Sequence, residues 1–245
     1  MAKQDQNTTE VVILVTGLSG TGKSTFINAL LAEDVMPVGH GLSPFTKDVR
    51  CALFNSHLPE AKGRRIVIVD TPGFDNTYGN DIKVLELIAS WLEARSPSKA
   101  LLGGVIYLHE INQDRLATLA PVSLGVLRKS FGASKETFSR VALTTTKWSR
   151  IGEKEGEDRV NELRQQHWKP LIDGGMKVER FADTQESARK IVESLVKELG
   201  DQPGFDIKAK MAEFRKLQAS TGDKTHGVRE QFLRFFGLLG LFGRQ

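Results

Sequence analysis

The run Gly17-Leu-Ser-Gly-Thr-Gly-Lys-Ser24 constrains the fold of this chain more than any other feature, because it satisfies the pattern G-x4-G-K-[ST] between a strand-like and a helix-like segment. Val11 to Thr16, just before it, is a β-branched and almost wholly apolar run of the kind that forms a strand buried on both faces. Lys23 to Leu31 has helical spacing, with Phe26, Ile27, Leu30 and Leu31 able to share a face. Between two such elements, glycines let successive backbone N–H groups turn inward onto phosphate oxygens, and the positive end of the following helix reinforces the anion site. Gly17, Ser19, Gly20, Thr21, Gly22, Lys23, Ser24 and Thr25 are the expected nucleotide-binding residues. Lys23 would reach the β- and γ-phosphates, and the Ser24 hydroxyl would ligate Mg2+.

Asp70 follows the apolar run Ile66 to Val69, so its carboxylate should emerge at a strand end, where a contact to the phosphate-bound metal is made. Thr71-Pro-Gly73 comes next, and Gly73 offers a free backbone N–H where a γ-phosphate could be sensed and a loop reordered on hydrolysis.

Further along, strand-length apolar runs alternate with amphipathic helical segments, the order of a mostly parallel sheet with crossover helices. Strands are expected at Val49 to Phe54, Ile66 to Val69, Gly104 to Leu108, Phe138 to Leu143 and Lys177 to Phe181. The spacing predicts helices at Asp81 to Ala94, Ala120 to Ser130, Glu153 to Ile172 and Gln185 to Leu199. Asp34 to Lys47 holds two prolines and two glycines and reads as a loop. The expected division is a polar tail over residues 1–10, a nucleotide-binding domain over 11–199, and a hinge with a helical extension over 200–245, its helices near Phe205 to Ala219 and Val228 to Leu239.

Composition narrows the function. With 245 residues the chain can bury one generous core, and its single cysteine, Cys51, can form no internal disulfide. The five histidines make no closely spaced metal cluster, and Met1 to Glu10 lacks the apolar core of a secretory signal, so a cytoplasmic location is expected. A net charge of +4, spread among acidic neighbours, does not favour nucleic acid as a partner. The apolar stretch Phe232 to Phe242, edged by arginines, is too short to span a bilayer but suits a fold-back, a dimer contact or a peripheral membrane contact.

Four marks carry a family resemblance: Asp70-Thr-Pro-Gly-Phe74, Gly104-Val-Ile-Tyr-Leu-His109, Leu143-Thr-Thr-Thr-Lys-Trp148, and Phe181-Ala-Asp-Thr184 ahead of Ser187-Ala188. With the phosphate loop, they resemble the branch of P-loop GTPases that contains septins, AIG-type GTPases and the chloroplast outer-envelope import receptors, and in particular the AIG-like G-domain proteins of mushroom-forming fungi. The resemblance covers residues 11–199. It implies an α/β, three-layer G domain that binds GTP and GDP with Mg2+, hydrolyses GTP, and forms a homodimer through the nucleotide face. It also implies that Thr46 is the first-switch threonine completing the metal shell, that Gly73 is the second-switch glycine, and that Arg115 is offered to the partner's nucleotide.

Two positions depart from the family pattern. Phe74 stands where small signalling GTPases carry a water-orienting glutamine, and an apolar side chain cannot orient water, so slow intrinsic turnover is expected. The guanine motif [NT]-K-x-D reads Thr146-Lys147-Trp148-Ser149, which keeps the lysine that packs along the base but lacks the carboxylate that accepts two guanine N–H bonds. Asp183 could supply that carboxylate, or Trp148 could hold the ring by stacking, or Trp148 could be a hydrophobic plug behind the pocket. His40 reads as an exposed loop residue and His109 as a packing residue.

Overall fold

The computed structural model describes residues 8–38, 48–73, 78–95, 100–112, 138–201 and 204–209. Seven strands form one sheet: β1 (Thr9–Gly17), β2 (Arg50–Phe54), β3 (Arg64–Asp70), β4 (Ala100–Glu110), β5 (Val141–Thr146), β6 (Lys177–Arg180) and β7 (Phe205–Asp206). The main path runs β2-β3-β1-β4-β5-β6, parallel throughout except for the antiparallel edge pair β2/β3. The described helices are α1 (Lys23–Leu31), α2 (Tyr78–Glu93), α3 (Glu153–Glu162), α4 (Lys169–Gly174) and α5 (Gln185–Asp201).

Side-chain alternation along β1 explains why both faces are covered. Val11, Ile13 and Val15 point to one side, where Phe26, Ile27 and Leu30 of α1 and Ile191, Val192 and Leu195 of α5 pack on them. Val12 and Leu14 point to the other, against Ile88 and Leu92 of α2. A strand buried on both faces is the reason for its continuous apolar sequence. Phe26 and Phe181 meet edge to face at 5.1 Å, tying α1 to the end of β6.

Several expected elements are placed differently. The long helix foreseen from Glu153 to Ile172 is broken: a π-turn over Leu163–His167 follows α3, and a new helix starts at Lys169 with Pro170 in its first turn. Proline lacks the N–H that an uninterrupted helix would need there. The extra residue of the π-turn rotates Trp168 into the core, where it is fully buried. Phe138 and Ser139 are helical, and the fifth strand begins at Val141 and runs on to Thr146.

Phe205 and Asp206, expected to open a helix beyond a hinge, form β7 against Leu102 and Leu101 of β4. β5 pairs with β4 only from Val105 onward, so the first half of β4 leaves backbone groups open, and β7 satisfies them. The helix expected at Ala120 to Ser130, most of the loop holding Thr46 and His40, Phe74, Arg115, and both helices of the extension apart from Phe205 to Ala209 lie outside the described residues.

Candidate nucleotide-binding site

The geometry of a parallel sheet collects the chemistry at one edge. β1 ends at Gly17, β3 at Asp70, β4 at Glu110 and β5 at Thr146, and the strand registers put these ends side by side. Asp183 follows β6 at the same edge. Ligands of open α/β sheets bind outside these carboxyl ends.

The glycine loop turns through left-handed backbone at Gly20 (φ +82°) and Gly22 (φ +93°), which residues with a Cβ rarely adopt. Inside the loop Lys23 is buried, with 6% of its surface exposed, and its Nζ donates to the carbonyl oxygens of Leu18 (2.9 Å) and Gly17 (3.3 Å). Burial lowers its pKa to about 8, and the attraction of Asp70 offsets that only in part. Thr21 Oγ1 donates to Leu18 O at 2.9 Å and locks the turn.

Ser24 Oγ donates to Asp70 Oδ2 at 2.6 Å. The other oxygen, Oδ1, is buried and has no hydrogen-bond partner. Burial raises the Asp70 pKa, against the opposing pull of the Ser24 hydrogen bond and the positive charges of Lys23 and Arg50. A hydroxyl and a buried carboxylate with a spare oxygen are hard donors in the right place for a divalent cation, so the residues fit Mg2+. No cluster of three or more His, Cys, Asp or Glu suited to a metal occurs among the described residues.

Gly73 lies directly on the loop. A Cβ there would sit 2.5 Å from Ser19 Cα and 2.9 Å from Lys23 Nζ, so only glycine permits this approach. Thr146 Oγ1 donates to Thr21 O at 2.9 Å, which joins the end of β5 to the glycine loop.

A G-x4-G-K-[ST] loop on a parallel sheet, with Asp70 bonded to its serine and Gly73 seated on it, occurs together with a matching family model. The model described as "50S ribosome-binding GTPase" matches residues 12–129, just under half of the chain. The chain has the P-loop GTPase fold. Toc33 from Arabidopsis thaliana in complex with Mg2+ and GMPPNP superposes with a TM-score of 0.53 at 19% identity, over 80% of this chain and 86% of that one. Era from Aquifex aeolicus bound to GDP and AlF4- superposes with a TM-score of 0.51 at 18% identity, over 77% of this chain and 56% of that one. Translocase of chloroplast 34 from Pisum sativum is 26% identical over 147 residues, 60% of this chain and 44% of the pea protein, so the match spans less than half of that relative.

Just beyond the end of β5, Trp148 is 8% exposed and donates from Nε1 to Thr145 Oγ1 at 3.1 Å. Arg180 covers its ring at 3.7 Å, and a Cβ at Gly156 would come within 2.6 Å of it. These contacts account for the burial of Trp148 by packing. Asp183 is exposed, in left-handed backbone (φ +55°), one residue before the Thr184 hydroxyl that caps α5 by accepting from Ser187 N at 3.2 Å. Ser149 is exposed as well. Lys147 Nζ is 2.6 Å from Glu110 Oε2.

Sequence reasoning missed two residues. Glu110 holds Lys147, a long-range pairing with no local signal. Asn28 lies buried in α1 and exchanges two 2.7 Å bonds with the backbone of Met36, anchoring the entry to the loop that carries Thr46. A polar residue on an otherwise apolar helical face was the available signal. Asn28→Ala leaves both Met36 groups unsatisfied and is expected to cost about 2–3 kcal/mol, measurable as a lower urea midpoint.

His109 is buried edge-on to Trp168 at 5.6 Å, and burial lowers its pKa to about 4 despite the nearby Glu110 charge. It packs as a neutral ring. As pH falls the unfolded chain takes this proton first, near pH 6.5, so the contribution is complete above that pH and is lost towards pH 4. Between pH 7 and 5 the wild type should lose about 2 kcal/mol more than His109→Phe in paired urea titrations.

Proposed function

We propose that this chain is a GTP-binding protein that hydrolyses GTP slowly with the help of a second copy and acts as a nucleotide-dependent switch. The observation that carries the reading is the union of Lys23, Ser24 and Asp70 at one loop, with a spare buried carboxylate oxygen beside them. GTP or GDP with Mg2+ is the ligand. Lys23 binds the terminal phosphates, Ser24 and Asp70 with Thr46 hold Mg2+, and Gly73 senses the γ-phosphate. When bound, the metal neutralises charge on the β- and γ-phosphates. The close approach of Gly73 to Ser19 and Lys23 would let its backbone respond to a phosphate in the loop.

Residues 11–199 form the G domain in this reading, with the chain beyond 199 as an extension. Dimerization is important for the GTPase activity of the chloroplast translocon components Toc33 and Toc159, and a solved structure from that work superposes with a TM-score of 0.50 at 16% identity. By analogy, a second copy would meet the nucleotide face and offer Arg115. That copy compensates for Phe74 at the water-orienting position. The protein would work in the cytoplasm, with the apolar C-terminal stretch touching a membrane surface, and AIG-like fungal proteins are the proposed relatives. No helix among the described residues is long and apolar enough to cross a membrane.

Ser149 favours a second reading, in which base specificity is relaxed or the protein is a catalytically weak scaffold, because a hydroxyl cannot replace the two charge-assisted bonds of a carboxylate. Asp183, which follows β6 at the same sheet edge, is the candidate for supplying a carboxylate to the base. Phosphate release from GTP and from ATP, measured across a protein-concentration series, separates the two. Release from GTP that rises faster than linearly supports the dimer-assisted GTPase; equal turnover of ATP, or tight GTP binding with no release, supports the second.

A further inference from the structure

Lys147 adopts left-handed backbone (φ +59°), which costs a residue with a Cβ about 1–2 kcal/mol and so needs outside support. Its neighbours supply that support. Thr146 on one side is bonded to the phosphate loop through Thr21 O, and on the other Arg150 N donates to Lys147 O at 3.1 Å. The side chain is held separately. Glu110 closes β4 as the register partner of Thr146, and its Oε2 lies 2.6 Å from Lys147 Nζ. Its other oxygen, Oε1, accepts from Arg150 at 3.3 Å. One carboxylate thus spans both ends of the short turn that carries Trp148 and Ser149.

We propose that Glu110 is the positioning residue of the base end of this site, holding the Lys147 stem where it packs along a purine. The inference rests on the nucleotide-binding reading above. A free lysine stem of four methylenes samples many rotamers, and a carboxylate on its tip removes that freedom before the ligand arrives. The grip provided in this way comes from apolar stem against ring, so it does not distinguish guanine from adenine. A hydroxyl at Ser149 cannot give the paired charge-assisted bonds of a carboxylate, so a lysine stem held in place would carry a larger share of the base contact in this chain.

The test is equilibrium titration of the full chain with GTP, ATP and inorganic tripolyphosphate, each with Mg2+, for the wild type, Glu110→Ala and Glu110→Gln. In Glu110→Ala the affinities for GTP and ATP should both fall about five- to tenfold, the order of one charge-assisted hydrogen bond, with their ratio unchanged. Tripolyphosphate, which has no base, should bind as in the wild type. The isosteric Glu110→Gln should fall less, in the same direction, and reads the effect if the alanine variant fails to fold. Unchanged nucleotide affinity in both variants, a fall confined to GTP, or a parallel fall for tripolyphosphate would overturn the positioning role while leaving the nucleotide site standing. A wild type that binds none of the three overturns the nucleotide reading and this inference with it.

Discussion

Replacing Lys23 with methionine is expected to stabilise the nucleotide-free protein and, in the same variant, to abolish triphosphate binding. The ammonium group is buried, and its pKa of about 8 already includes the attraction of Asp70, so keeping it charged at neutral pH works against the fold. The displacement from 10.5 corresponds to on the order of 3 kcal/mol between the charged and neutral forms. Methionine has a similar stem and no charge, and it should recover on the order of 1–3 kcal/mol after the two bonds to Gly17 O and Leu18 O are lost.

The sign can be checked with pH. Between pH 8 and 10.5 the unfolded chain binds more protons at this site than the folded one, so wild-type stability should rise there relative to Lys23→Met, and the gap between them should close. Binding moves the other way. In the proposed site the ammonium would meet the β- and γ-phosphates, so affinity for GTP should drop by roughly a hundredfold or more in the variant. In the wild type it should weaken above pH 8, where the free protein has lost the proton. Paired thermal melts and nucleotide titrations measure both effects. A variant that melts lower yet binds GTP normally would contradict this role. Stability given up at a functional residue is a common pattern.

Asp70→Ala is expected to uncouple nucleotide from metal. The wild type should bind GTP more tightly as Mg2+ is added, since Ser24 and Asp70 would hold the cation and it would supply positive charge to the phosphates. Without the carboxylate, titrations with and without Mg2+ should converge to within about threefold, with a net loss of affinity on the order of one to two decades in its presence. Burial raises the Asp70 pKa, so its carboxyl takes up a proton more readily than an exposed one, and a bound dication would favour the ionised form. Metal binding should accordingly release protons as pH is lowered towards the acidic range, and the alanine variant should release none from this site. A Mg2+ response that survives in Asp70→Ala would place the metal elsewhere.

The parts of this site that could be read from sequence are those set by neighbours in the chain. β1, the glycine loop and α1 follow one another directly, and both the apolar run and the spacing of Phe26, Ile27 and Leu30 are local signals. Asp70 was legible because it ends an apolar run, and the structure places it 2.6 Å from Ser24 across 46 residues. The unread parts depend on contacts between distant segments. β7 exists because β5 covers only the latter part of β4, which no pattern at Phe205 announces. The break before Trp168 had a signal in Pro170, but the helical periodicity of the charged segment around it outweighed that single residue. Glu110 reads as a strand-end charge until Lys147 is seen at its tip.

Amide chemical-shift mapping of the 15N-labelled protein, titrated with GTP and Mg2+, tests the proposed site most directly. The backbone N–H groups of Gly17 to Ser24 should shift most, together with Gly73, and the same titration of Lys23→Met should leave them in place. Binding that spares these amides, or no binding at millimolar GTP with Mg2+, would contradict a nucleotide site at this loop.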